Sequence, residues 1–155
     1  MKDLDKKILI QLLKNCRKPA VEIAKKIGTS RQTVAKKLKE LRSAGIIESF
    51  PARLNPEKLG LATKAYILLR ESPQEEKRKR DEMVIRRIPQ VSEFHRLFGE
   101  YSAVIEVLAR DTQELYSIIK KIHKLTGVRE TETFIVHSTI KEKPESPLLN
   151  VLKSS

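Results

Sequence analysis

The feature that most restricts this chain is the segment 19–45, PAVEIAKKIGTSRQTVAKKLKELRSAG. Its pattern fits two short amphipathic helices joined by a tight turn. In the first, Val21, Ile23, Ala24 and Ile27 recur at spacings that place them on one buried side. Gly28 supplies the permissive backbone that a helix end requires, and Ser30 stands where a side-chain cap opens the next helix. In the second, Val34, Leu38 and Leu41 follow each other at four and three residues and face a core, which leaves Gln32, Thr33, Ala35, Lys36 and Lys39 on the free side. A short helix with a basic, amide-bearing free face is a shape that enters a DNA major groove.

The charge distribution points the same way. Of a net +12, residues 1–60 carry 15 Lys and Arg against 6 Asp and Glu, or +9, whereas residues 61–155 carry 17 against 14, or +3. The excess therefore coincides with the motif, where a polyanion would be bound through counterion release. Double-stranded DNA is the expected partner. Gln32, Thr33 and Lys36 are the candidate groove contacts; Arg31 at the helix start, next to the cap Ser30, and Lys37 and Lys39 along it are candidate phosphate contacts. The same basic surface would also suit an architectural, chromatin-like protein with little sequence preference.

Other chemistry finds little support. The single cysteine, Cys16, excludes an intramolecular disulfide framework. His95, His123 and His137 are scattered, no Gly-x-Ser-x-Gly elbow occurs, and the five glycines form no phosphate-cradling loop, so no metal, cofactor or enzymatic activity is expected. Charged residues interrupt the start of the chain, and no apolar run approaches the roughly 18 residues of a membrane span. A soluble, cytoplasmic protein without a membrane partner is the expectation.

Ahead of the motif, Leu4, Ile8, Leu9, Leu12 and Leu13 form a helical stripe, with Asp3 and Asp5 near its start and Lys14, Arg17 and Lys18 toward its end, as the helix dipole favours. Behind it, residues 46–54 read as two short strands around Pro51, the wing of a winged helix-turn-helix domain spanning 1–54, with Arg53 as its phosphate contact. Residues 55–62, with Asn55, Pro56 and Gly60, read as a linker. From 63 to 141 the pattern changes to strand 63–70, helix 74–88, strand 91–98, a turn at 99–101, strand 102–109, a helix capped by Asp111, and strand 130–140. That order is the ferredoxin-like βαββαβ arrangement of an α+β fold, an antiparallel sheet with both helices on one face. The other face must be solvated, ligand-bound or paired with another chain. Tyr66, Phe94 and Phe134 could lie on it or pack under the helices, since strand parity is open. The basic run Lys77, Arg78, Lys79 and Arg80 sits among Glu75, Glu76, Asp81 and Glu82, and such compensation reads as a solvated face rather than a second DNA site. Residues 142–155 read as a frayed tail, with docking on a partner subunit as the lesser alternative.

Taken together these pieces resemble the Lrp/AsnC family, the feast/famine regulators of bacteria and archaea. The resemblance is carried by Leu4-Asp5-Lys6-Lys7-Ile8-Leu9, Ile23-Ala24, the run Ser30-Arg31-Gln32-Thr33-Val34, Leu41 with Gly45-Ile46-Ile47, Leu54-Asn55-Pro56 with Leu59-Gly60, Pro89-Gln90-Val91 with His95, Gly99-Glu100-Tyr101, and Gly127-Val128-Arg129-Glu130-Thr131-Glu132-Thr133. It implies a homodimer built through the ferredoxin-like domains, assembled further into tetramers or octamers, that regulates transcription and responds to a small-molecule effector. It also implies an effector site at Gly99, Glu100, Tyr101 and Ser102, with Thr131 and Thr133 opposite. The loop departs from the family's usual Gly-Asp-Tyr-Asp at Glu100 and at Ser102. Ser102 replaces an acid that would neutralise a ligand ammonium group, so ordinary amino acids are expected to bind weakly or not at all, with Ser102→Asp restoring part of the affinity.

Overall fold

The computed structural model describes residues 1–154; Ser155, the last residue of the expected tail, lies outside the described residues. The chain divides into two units, one formed by Met1–Arg53 with the segment from Lys141 onward, the other by Leu54–Ile140.

In the first unit α1 (Asp3–Lys14), α2 (Ala20–Ile27) and α3 (Arg31–Ser43) follow the expected order. Pro19 precedes α2, and Gly28 ends it in the left-handed region, φ +71°, a conformation that costs glycine little. The Ser30 side chain accepts the backbone N–H of Thr33 at 3.1 Å, as an N-cap should. Ile8, Leu9, Ile23, Ala24, Val34, Leu41 and Ile47 form the core. Val21, expected on the buried side of α2, is exposed; relative to Ile23 it is rotated too far around the helix to share its face.

Two further expectations for this unit are corrected. No strands form between residues 46 and 54, so the wing is an irregular loop. The N–H groups of Ile46 and Ile47 instead satisfy the Leu41 carbonyl at 3.0 and 3.2 Å, closing the end of α3, and Pro51 has no N–H to offer a ladder. The tail is not frayed. Residues Glu145–Ser154 form α6, which packs on α1 of the same chain, with Leu152 against the core that holds Ile8 and Leu9.

The second unit holds β1 (Thr63–Glu71), α4 (Glu75–Ile85), β2 (Val91–Arg96), β3 (Ala103–Ala109), α5 (Thr112–His123) and β4 (Val128–Ile135). The sheet order is β2-β3-β1-β4 with every pairing antiparallel. Asp111 caps α5 by accepting the Glu114 N–H at 2.8 Å. Alternate residues of the two central strands, among them Ala65, Ile67, Leu69, Ile105 and Val107, are buried against Ile85 of α4 and Leu115, Ile118 and Ile122 of α5. Strand β4 stops at Ile135, short of the expected 140, because β1 begins at Thr63 and leaves only the Lys64 carbonyl to accept from Val136. Parity is now defined. Tyr66 pairs with Phe134 on the open face, where both are exposed, whereas Phe94 pairs with Ile105 and packs into the core under the helices.

The turn into β4 is held by a buried acid. Asp81 of α4 is 3% exposed and accepts the Gly127 N–H at 2.7 Å. A β-carbon at Gly127 would stand 2.6 Å from that carboxylate oxygen, so only glycine allows the approach.

Candidate nucleic-acid interface and effector loop

Packing of Val34 and Leu41 into the core fixes the rotation of α3, and with it which side chains reach solvent. Gln32, Ala35, Lys36 and Lys39 are exposed together, as the sequence pattern predicts, and Arg31 at the helix start is exposed as well. Thr33 is half-buried, and its hydroxyl lies 2.8 Å from that of Ser30, so both hydroxyls belong to the helix cap. Lys37 departs from its expected place. It turns toward α1, with its ammonium group 2.8 Å from Glu40 and 3.4 Å from Asp5 and its side chain only 19% exposed. The hydrogen bond to Glu40 raises its pKa, burial opposes the shift, and Asp5 adds to it. A lysine already neutralised by two carboxylates is a poor counter-charge for phosphate. Arg53, in the irregular loop, is paired with Glu142 at 2.8 Å, both side chains remaining more than half exposed. Arg42 and Phe50 were not singled out by the sequence pattern. The Arg42 guanidinium lies 5.9 Å from the Phe50 ring beside Lys39, which extends the cationic surface past the end of the exposed row.

The loop after β2 gathers some of the expected effector residues and separates others. Gly99 has φ +148°. Glu100 is ion-paired with Arg70, which also meets Glu130 at 2.9 Å and stands 4.9 Å from the Tyr101 ring. The Tyr101 hydroxyl donates to Glu132, and that hydrogen bond, aided by burial, pushes its pKa up. Ser102 is engaged differently. Its N–H donates to the Leu69 carbonyl at 2.8 Å, and its hydroxyl lies 3.0 Å from the same carbonyl and 2.8 Å from Glu71 Oε2. Thr131 and Thr133 do not stand opposite the loop. They pair with Leu69 and Ile67, whose side chains are buried on the helix-covered face, while Glu130 and Glu132 are the β4 residues that meet Arg70 and Tyr101. The physical reason is strand parity: Thr131 and Thr133 share a face with buried Leu69 and Ile67, whereas Glu130 and Glu132 alternate onto the open face with Phe134 and reach Arg70 and Tyr101 across β1.

Sequence reasoning missed Arg70, Glu71, Arg129 and Glu130, which line an open depression of about 550 Å³ with Gly99, Glu100 and Ser102. Glu71 is the most constrained of them. Its side chain is 1% exposed and paired with Arg96, and its Oε1 has no hydrogen-bond partner. Its position at the end of a central strand next to the loop emerges only once the strand order is known. On the open sheet face, Glu106 accepts from Lys64, Tyr66 and Ser92 at 2.8, 2.9 and 2.8 Å. Burial would raise its pKa, but these donors outweigh burial and hold the carboxyl below the ordinary range. Among the described residues no cluster of His, Cys, Asp and Glu could hold a metal ion, and no helix is long and apolar enough to cross a membrane.

Comparison with known proteins places this geometry. Residues 1–48 match the family model for winged helix-turn-helix DNA-binding domains, and residues 64–146 match that for the Lrp/AsnC ligand binding domain. The chain is 32% identical over 146 residues to the HTH-type transcriptional regulator FL11 of Pyrococcus furiosus, covering 94% of this chain and 95% of that one. It is 36% identical over 142 residues to an HTH-type transcriptional regulator of Pyrococcus horikoshii, covering 90% and 95%. Among solved structures, a transcriptional regulator of Neisseria meningitidis in complex with L-Met superposes with a TM-score of 0.91 at 25% identity, covering 97% of this chain and 99% of that one. AsnC of E. coli superposes with a TM-score of 0.85 at 26% identity, covering 92% and 95%. With a capped helix-turn-helix at one end, a βαββαβ sheet at the other and relatives matched along nearly their whole length, the chain belongs to the Lrp/AsnC family of DNA-binding transcriptional regulators.

Proposed function

We propose that this regulator recognises specific, roughly palindromic DNA sites as a dimer or larger assembly, reading bases through α3. The observation that carries the reading is the joint exposure of Gln32, Lys36 and Lys39 on a helix whose rotation is set by its buried face and whose start is capped by Ser30. Gln32 offers an amide that can pair with the edge of adenine, whereas Lys39 and Arg31 offer charge to phosphates. Selection of bound sites from a random DNA pool is expected to return two half-sites separated by one helical turn, about 10 base pairs, or a multiple of it. Equal binding to all sequences would favour an architectural role instead. In the selected site Gln32→Ala should remove about 1 to 3 kcal/mol of base discrimination, while Lys39→Ala weakens all sequences alike. An unchanged selected site with Gln32→Ala would show that the amide does not read a base.

Support for the assembly comes from the open sheet face. Tyr66 and Phe134 stand exposed as a cross-strand pair, a surface that a second copy of the chain would cover. In sedimentation the full chain is expected to run as a dimer or larger at micromolar concentration; a monomer would count against the assembly. As for an effector, the Neisseria relative is a complex with L-Met. In this chain Ser102 and Glu100 of the loop are already engaged with Leu69 and Arg70, and Glu71 at the end of β1 with Arg96, which supports weak binding of ordinary amino acids.

A further inference from the structure

The second unit carries a basic surface whose strength the linear sequence conceals. Helix α4 spells EEKRKRDEMVI, in which four acids cancel four bases. In three dimensions they do not. Asp81 is buried and spends its carboxylate on the Gly127 N–H. Glu82 turns to Arg96 of β2 at 3.1 Å and only distantly meets Arg86 at 3.9 Å. Glu75 is taken by Lys79 at 2.7 Å. Among the described residues Lys77, Arg78, Arg80 and Arg87 have no ion-pair partner, and of the acids on this helix only Glu76 has none to offset them. Arg80, Arg86 and Arg87 are exposed.

We propose that the exposed side of α4 and the turn after it form a second DNA-backbone contact, separate from the recognition helix, that adds affinity without reading sequence. This inference rests on the DNA-binding reading given above. The occupant follows from charge and shape. Arg80 on α4 and Arg86 and Arg87 in the turn after it are all exposed, so the cationic strip continues from the helix into the turn, the extended form that a phosphate backbone requires. Guanidinium groups grip phosphate oxygens in a two-pronged geometry that ammonium groups cannot match. An extended row of arginines also fits a linear polyanion better than a single small phosphate compound, which needs a concave site with several convergent donors.

The test is the salt dependence of DNA binding by the full chain, measured on the selected duplex and on a random duplex of equal length. Each phosphate contact adds about 0.9 to the slope of log affinity against log salt concentration. The double variant Arg80→Gln with Arg87→Gln is expected to lower that slope by about 2 on both duplexes, leaving the preferred sequence unchanged. Arg80→Lys with Arg87→Lys should keep most of the slope, because charge is retained. An unchanged slope in the glutamine variant, with the natural chain binding DNA normally, overturns this second contact and leaves the recognition-helix reading standing. An equal loss in the lysine and glutamine variants would mark a packing role and likewise overturn it. A natural chain that binds neither duplex defeats both readings together. If Lys36→Gln with Lys39→Gln abolishes specific binding but leaves weak, salt-sensitive binding that then disappears on adding the α4 substitutions, the two contacts are independent as proposed.

Discussion

Ser102→Asp is expected to destabilise the 54–140 unit by about 3 kcal/mol at neutral pH and to recover no amino-acid binding. The serine hydroxyl lies within hydrogen-bond distance of the Leu69 carbonyl and of Glu71, whose side chain is almost wholly buried. A carboxylate there cannot donate to the carbonyl, and it sets a second negative charge beside Glu71 with Arg96 as the shared counter-charge. Like charges in one site raise the proton affinity of the pair in the folded state above that of the unfolded chain. The folded variant then binds more protons than the unfolded one. Its deficit is therefore largest at neutral pH and shrinks as pH falls through the raised folded-state values. Urea unfolding at pH 7 and pH 5 checks both magnitude and sign. A variant as stable as the natural chain at pH 7, or one that binds amino acids tightly by calorimetry, would show that Ser102 faces a ligand rather than Glu71. The loop pattern alone leads to the opposite expectation, because it treats position 102 as free to meet a ligand ammonium group.

The second large effect concerns α6. Ending the chain after Pro144 removes α6 from the side of α1, and with it Leu149 and Leu152, both half-buried, of which Leu152 packs on the core. Full burial of a leucine contributes about 1.5–3 kcal/mol, so losing both partly buried side chains should cost the helix-turn-helix unit about 3 kcal/mol. DNA binding should weaken in parallel near the unfolding temperature, since α3 depends on the same core. Leu152→Ala should show a smaller loss of the same kind, about 1–2 kcal/mol. Thermal unfolding of the three proteins decides the matter: equal melting temperatures would mean that α6 lies along α1 without supporting it. The consequence for organisation is that the helix-turn-helix unit is built from both ends of the chain, with Leu54–Ile140 inserted between them. Any isolated fragment ending near residue 54 lacks part of its own core.

Much of this protein could be read from local pattern. The spacing of Val34, Leu38 and Leu41 orients α3 because helix geometry admits one solution for them, and Ser30 and Asp111 cap helices because their short polar side chains bond backbone N–H groups two or three residues on. The order of strands and helices in the second unit was legible for the same reason, each element announcing itself by its own periodicity. What failed were statements about residues distant in the chain. Wing strands depend on free N–H and carbonyl groups, and those of residues 46 and 47 were already committed to ending α3. The tail depends on whether an apolar surface elsewhere awaits it, which no local pattern in residues 142–155 reveals. Lys37 has the same composition-level credentials as Lys36 and Lys39, yet Asp5, from a different helix, turns it inward.

The loop at residues 99–102 and the basic helix mark the boundary most sharply. By itself the sequence determined the fold class, the helix-turn-helix and the family, because these rest on periodicity, capping and motif order, all short-range along the chain. Only the tertiary structure decided that Thr131 and Thr133 face the helix-covered side, that Glu71 stands behind Ser102, and that Asp81 and Glu82 leave the surface of α4 uncompensated. Electrostatic pairing falls off with distance in space and is indifferent to separation in sequence, so charge balance and site composition follow from strand order and helix packing rather than from neighbouring letters.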